Sequence, residues 1–487
     1  MILSRSLPRA LVLLSAVAVA GSLTAPAAFA GPAHQAAAPA AKSVAKPQDD
    51  FNGDGYQDLV VAAPRATVDG RTAAGYVSVL YGSASGPQTS SKQVLRQGAG
   101  GIPGAATAYS AFGASLAAAD LNGDGYTDLA VIADRSSAGI EYLGTKTLIW
   151  GSAAGLGRGA AAVMKTTATP SALATGDFDG DGRQDLAEAY MDGNVSLDHG
   201  PLQANGTPAR RTHVEPDGVV QSFEDVTAGD VNGDGFADLV ALGADHDASQ
   251  QNFRPLLWKG SAAGLGQRED VAGGHRGGSL DVGDVNKDGF EDIVVGRPAP
   301  GTGTTPGILG GQLAHIPGSA AGPNGSAAAV FHQESPGVPG TDEVNDSFGA
   351  DVAVGDIDGD GYEDVAVGVP GEALGNTVGA GALITLPGGA TGPTGTGSKT
   401  LTQDSAGVPG TAEVNDAFGS KVKLIDGNKD GKKDLAVSAL GENLNAGSVW
   451  WLPATASGLT SAGSFVYGPG ALGTVAANGR FGDRYTS

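Results

Sequence analysis

One nine-residue pattern recurs seven times, and it restricts the fold more than any other feature of this 487-residue chain. It reads Asp-x-Asx-x-Asp-Gly-x-x-Asp and runs each time into an apolar, strand-like stretch. The first copy places Asp50, Asn52, Asp54, Tyr56 and Asp58 at positions 1, 3, 5, 7 and 9, ahead of Leu59-Val60-Val61. The second places Asp120, Asn122, Asp124, Tyr126 and Asp128; the third Asp177, Asp179, Asp181, Arg183 and Asp185. The fourth has Asp230, Asn232, Asp234, Phe236 and Asp238; the fifth Asp284, Asn286, Asp288, Phe290 and Asp292. Asp356, Asp358, Asp360, Tyr362 and Asp364 make the sixth, and Asp426, Asn428, Asp430, Lys432 and Asp434 the seventh. The first aspartates are separated by 70, 57, 53, 54, 72 and 70 residues. Self-similarity at such a period signals a solenoid or a propeller.

Each repeat carries four strand-like pieces. An apolar strand precedes the acidic loop, often opened by Phe-Gly (Phe112-Gly113, Phe348-Gly349, Phe418-Gly419). A second follows the loop at once, as in Leu129–Ile132. A third comes after a variable loop, as in Thr147–Trp150 or Val449–Leu452, and ends in a turn such as Gly151-Ser-Ala-Ala-Gly155. A weaker fourth, such as Gln93–Arg96, leads onward. Four short strands repeated seven times match the blades of a propeller, so the fold expected is all-β: a seven-bladed β-propeller with a calcium loop in each blade. The 80 glycines suit many strands joined by tight turns.

The blades expected are approximately 49–100, 101–168, 169–221, 222–276, 277–340, 341–410 and 411–477. Before the first loop stands only a leader, with no Phe-Gly strand. Near the other end stands Phe481-Gly482. Residues 478–487 are therefore expected to supply the missing inner strand of the first blade and close the ring; the alternative is that they begin a truncated eighth blade. Closing the ring with the other terminus removes two exposed sheet edges, which would otherwise invite aggregation.

The loop chemistry follows from the donor set. Calcium takes about six to eight oxygens, and alternating side chains on a tight turn can converge several of them. Side chains of positions 1, 3, 5 and 9 and the backbone carbonyl of position 7 are the donors expected. Glycine at position 6 permits the bend. The pattern starts like an EF-hand loop but lacks the glutamate at position 12, where Val61, Val131 and Val295 stand inside strands. The positions hold 23 of the 52 acidic residues, and packing them together without cations is repulsive. Up to seven Ca²⁺ ions are expected, with the seventh loop weakest because Lys429, Lys432 and Lys433 crowd it.

These residues resemble the FG-GAP repeat family, the propeller at the head of integrin α chains and in many secreted bacterial proteins. The resemblance covers about residues 49–487. It implies a seven-bladed fold in which the acidic loop joins the first and second strands of a blade and binds Ca²⁺. Repeats three to five lack Phe-Gly, which puts the regularity of their blades in doubt. Integrin propellers bind ligands, and an FG-GAP region also accompanies a glycosylphosphatidylinositol-specific phospholipase D.

Composition narrows the function. A net charge of −23 argues against nucleic acid, whose binding rests on neutralising phosphates. The chain has no cysteine, so disulfides and thiolate metal sites are excluded. Residues 1–30 read as a signal peptide: Arg5 and Arg9, an apolar run from Leu11 to Ala20, then Ala28-Phe29-Ala30. Residues 31–48 form an Ala/Pro-rich leader. A secreted protein without a membrane span follows, and a monomer is expected.

No nucleophile elbow or His-Glu-x-x-His motif occurs. His199, His213, His246, His275, His315 and His332 show no common spacing to the loops and are expected at surfaces or turns. Trp150, Trp258, Trp450 and Trp451 fall on third strands, as core residues or as a sugar platform. Longer variable loops (65–74, 297–311, 372–379, 442–446) emerge on the face opposite the acidic loops. A binding or adhesion module for a protein or glycan is the leading reading. A secreted hydrolase with its site in the loops is the alternative.

Overall fold

The computed structural model describes residues 48–133, 144–157, 161–165, 170–214, 220–245, 253–298 and 308–487. The expected signal peptide, nearly all of the leader and His246 lie outside these. Among the described residues there are seven four-stranded antiparallel sheets and one small hairpin, Ala454–Thr455 with Gly458–Leu459. No helix among them is long and apolar enough to cross a membrane.

The sheets are the blades of a β-propeller. In the second blade the order is Phe112–Ala119, Asp128–Ala133, Thr145–Ile149 and Ala161–Lys165, each strand beside the next. Repeats three to five, which lack Phe-Gly, form four-stranded sheets as well, with inner strands Pro170–Gly176, Val220–Gly229 and Ser279–Gly283. The first sheet contains Leu59–Ala63, Tyr76–Leu80 and Lys92–Leu95. Its fourth strand is Arg484–Tyr485, with Val61 opposite Tyr485 and Ala62 opposite Arg484.

Strand alternation explains why second strands read as unbroken apolar runs. Side chains of a strand point alternately to opposite faces, and here each face meets another blade. Val60 and Ala62 pack with Phe112, Leu116 and Val131 of the second blade. Leu59, Val61 and Ala63 pack with Ala436, Val449, Trp451 and Phe481. Each large aliphatic side chain fully buried in this way contributes roughly 1.5–3 kcal/mol.

The Phe-Gly pair has a mechanical role. Phe112, Phe348, Phe418 and Phe481 are all fully buried. The glycines after them have φ of 96°, 83°, 90° and 99°, where other residues are strained. A Cβ on Gly419 would sit 2.2 Å from the Ala382 carbonyl oxygen. Register slips beside the pair, between Phe112 and Ser115 and between Phe418 and Lys421. Phe481-Gly482 reproduces this geometry on the first sheet, where the Gly482 N–H donates to the Ala62 carbonyl at 3.3 Å.

All four tryptophans are buried, Trp450 and Trp451 almost completely. Trp450 packs edge-on against Phe418, and Trp258 against Phe223. They are core residues, and the sugar-platform alternative has no exposed ring to stand on.

Candidate metal centres

Six of the acidic loops join the inner strand of a blade to the second; the first leads into Leu59–Ala63, whose inner neighbour is Arg484–Tyr485. Within every loop the position-6 N–H donates to the position-1 carboxylate at 2.8–3.0 Å. The position-7 N–H donates to the position-5 carboxylate at 2.8–3.0 Å. These turns gather the oxygens of positions 1, 3 and 5 on one side. In the third and sixth loops, where position 3 is Asp, one carboxylate oxygen from each of the three lies within 4.8 Å of the others.

Position 9 makes a contact that spacing alone does not reveal. Its Oδ1 accepts the N–H of a residue one or two positions past the third strand, at 2.8–2.9 Å in all seven blades: Gly82, Gly151, Gly200, Gly260, Gly318, Gly388 and Ala454. The sequence signal was the Gly-Ser-Ala-x-Gly turn, read above only as a turn. Asp434 Oδ2 is buried with no hydrogen-bond partner. Burial pushes several of these carboxyls up: Asp58 and Asp128 to about 8, Asp185, Asp238 and Asp434 to about 7, and Asp364 to about 6. The backbone N–H donors oppose the shift, and the other loop carboxylates add to it.

The loops also join the blades. The position-1 carbonyl accepts the N–H of position 8 in the next loop, as Thr127 to Asp50, Ala237 to Asp177 and Lys433 to Asp356. Position-7 rings lie over the preceding loop: a Cβ on Gly53 would meet the Tyr126 ring, and one on Gly233 the Phe290 ring, both at 2.6 Å. Position 4 is Lys in the fifth and seventh loops, and it answers the neighbour differently. Lys287 Nζ stands 5.3 Å from the Tyr362 ring centre, and Lys429 Nζ 5.8 Å from that of Tyr56. Two of the three lysines thought to crowd the seventh loop thus reach toward the first blade, because Lys433 Nζ is 3.3 Å from Gln57 Oε1. Lys432 Nζ stays beside its own loop, 3.6 Å from Asp430.

Two histidines depart from the surface expectation. His199 and His315 are each 3% exposed. His199 Nδ1 lies 2.9 Å from Asp179 Oδ2 and 3.8 Å from Asp185 Oδ2. His315 Nε2 lies 2.9 Å from Asp292 Oδ2. Both sit near the end of a third strand, where the chain turns back beneath its acidic loop, and that turn buries them. Adjacency of His199 to Gly200 was the available signal.

Removing one position-9 carboxylate leaves a backbone N–H just past the third strand without its acceptor. Asp238→Ala, which orphans the buried Gly260 N–H, should therefore destabilise the protein by about 1–3 kcal/mol from that N–H alone. Denaturant melts in excess chelator isolate that part, and an unchanged midpoint would refute it.

The repeat models agree with this architecture. The FG-GAP repeat model matches residues 49–80, 112–149 and 348–386. The FG-GAP-like repeat model matches 177–241 and 230–295. Integrin alpha pat-2 of Caenorhabditis briggsae is 31% identical over 223 residues, 40% of this chain and 17% of that protein. Phosphatidylinositol-glycan-specific phospholipase D of Rattus norvegicus is 32% identical over 152 residues, 28% of this chain and 17% of that protein. The matched stretches thus span less than a fifth of either relative. The solved complex of BBS1N with ARL6DN, soaked with mercury, aligns over 72% of this chain and 81% of that one, at 14% identity and a TM-score of 0.41.

Proposed function

We propose that this chain, an FG-GAP repeat β-propeller, is a secreted, calcium-stabilised module that binds an extracellular protein or glycan with the face opposite its acidic loops. Secretion is supported by the charged, apolar and small-residue succession of residues 1–30. Calcium is supported by the donor chemistry. Positions 1, 3, 5 and 9 offer carboxylate or amide oxygens, position 7 a carbonyl, and hard oxygen donors suit a hard divalent cation. In the seventh loop the unpartnered Asp434 Oδ2 is an acceptor that an ion would satisfy. Bound there, the ion would neutralise the gathered carboxylates and fix the loop on which the next blade rests.

The binding face rests on one observation: a row of exposed apolar side chains at blade junctions. Val344 is 64% exposed, Val378 61%, Val414 61% and Leu444 90%. Val378 and Leu444 lie in loops between second and third strands, and Val344 and Val414 just before inner strands, so all four are at the end of the blades away from the acidic loops. The chain around them is held under strain. Asn345 and Ser347, and again Asn415 and Ala417, have positive φ. Such conformations cost on the order of 1–3 kcal/mol each and cluster at functional sites. Hydrogen bonds between blades hold them, as from the Asn415 N–H to the Val378 carbonyl at 3.0 Å.

The test uses a glycan array and a panel of immobilised extracellular-matrix proteins, in calcium. Val344→Asp with Val414→Asp should weaken binding to the retained probe at least about tenfold, the scale of one interface hot spot, with the melting temperature unchanged. Binding equal to wild type would remove this face from the function.

A further inference from the structure

The geometry points to a transition-metal site in the third blade, where His199, Asp179 and Asp185 take an ion of the Zn²⁺ class. The third loop differs from the other six in one hydrogen bond. Elsewhere the position-3 side-chain oxygen accepts the position-5 N–H at 2.8–3.1 Å. Asp179 instead turns toward the third strand, and its Oδ2 meets His199 Nδ1 at 2.9 Å. Its Oδ1 is buried and has no hydrogen-bond partner. One ligand atom from each of Asp179, Asp185 and His199 lies within 4.8 Å of the others.

The imidazole is held as a metal-ligating histidine is held. Its outer nitrogen, Nε2, bonds Thr212 Oγ1 at 3.0 Å, and such a bond orients the ring and leaves the other nitrogen to face an ion. Gly264 closes over the ring, since a Cβ there would come within 3.1 Å of it. One imidazole and two carboxylates form a borderline donor set that suits Zn²⁺ and related ions, whereas an all-oxygen loop suits calcium. Because Asp185 is position 9 of the loop, the two kinds of ion compete for the third blade. Among the described residues His315 has no comparable partner set: its ring pairs with Asp292 in the fifth blade.

Arg210 guards the site. Its guanidinium is 3.2 Å from both Asp179 Oδ2 and His199 Nδ1, and the side chain is 46% exposed. It can swing into solvent when an ion enters, so the ion displaces a built-in cation.

The full chain, stripped with chelator and returned to calcium, is titrated with Co²⁺ and followed by visible d–d absorption, then back-titrated with Zn²⁺. We expect a band of about one equivalent that Zn²⁺ removes, the behaviour of a borderline nitrogen–oxygen site. His199→Gln should abolish the band, Arg210→Gln should tighten binding, and His315→Gln should change nothing. Circular dichroism checks that each variant is folded. No band in the wild type, a band that survives His199→Gln in folded protein, or equal uptake by several loops overturns the assignment. None of these outcomes depends on what the opposite face binds.

Discussion

Chelating divalent cations should lower the melting temperature of this protein, and should lower it more at about pH 8 than at about pH 5. An ion that binds only the folded state stabilises it by RT ln(1 + [L]/Kd), about 1.4 kcal/mol per loop at ten times Kd. Several occupied loops add, so chelation is among the largest single perturbations available to this fold. The pH dependence comes from the position-9 carboxyls. Without a cation, burial raises Asp58 and Asp128 to about 8 and Asp185, Asp238 and Asp434 to about 7. An unfolded aspartate titrates near 4. Between those limits the folded state holds more protons than the unfolded state, so stability falls as pH rises. The cation-free protein therefore weakens from about pH 4 to about pH 8. A bound ion removes that slope, because it keeps the same carboxylates ionised and compensated. Melting curves in excess calcium and in excess chelator, at both pH values, measure the gap. A gap that is absent, or that narrows toward the higher pH, would sink the calcium reading.

The acidic loops and the four strands around them were legible because each repeat states them again. Seven copies of one spacing make a propeller readable where one copy would read as a polar turn. The place of Phe481-Gly482 was legible for the same reason: it copies Phe112-Gly113. What repetition could not convey is where a repeat differs from its siblings. His199 looked like a turn residue because nothing at that position in the other blades is a histidine. The link from each position-9 aspartate to the end of the third strand spans 15 to 26 residues of variable length, which hides a constant contact. Exposure was illegible as well. Val414 and Val437 are both valines in one repeat, yet one is 61% exposed and the other fully buried. Only the arch at Asn415 and Ala417 separates them.

Lys146→Ala should be among the most destabilising single substitutions in the chain, for a reason peculiar to the third blade. Lys146, Glu188 and Asp198 are completely buried. Lys146 Nζ pairs with Glu188 and lies 2.7 Å from Asp198. Arg211 closes the network, 2.6 Å from Asp198 and 3.2 Å from Glu188, and the Tyr190 hydroxyl donates to Glu188. The corresponding positions elsewhere are apolar: Glu188 stands where the other blades have Val61, Val131, Ala241, Val295, Val367 and Val437. Asp198 stands where they have Leu80, Ile149, Ile316, Leu386 and Leu452. Lys146 stands where they have Val77, Leu313, Leu383 and Val449. Deleting one charge leaves the others buried and short of a partner, which costs about 3–5 kcal/mol. Replacing the whole network by the residues of its siblings removes that penalty. Lys146→Leu, Glu188→Val and Asp198→Ile, with Tyr190→Phe, should therefore recover most of the loss, since buried pairs exchanged for packed apolar groups are often neutral or better. Arg211, 30% exposed at its side chain, can turn its charge to solvent. Denaturant melts of the single and combined variants decide the matter. If the combined variant is no more stable than Lys146→Ala, the network holds the second and third blades together in a way that apolar packing cannot replace.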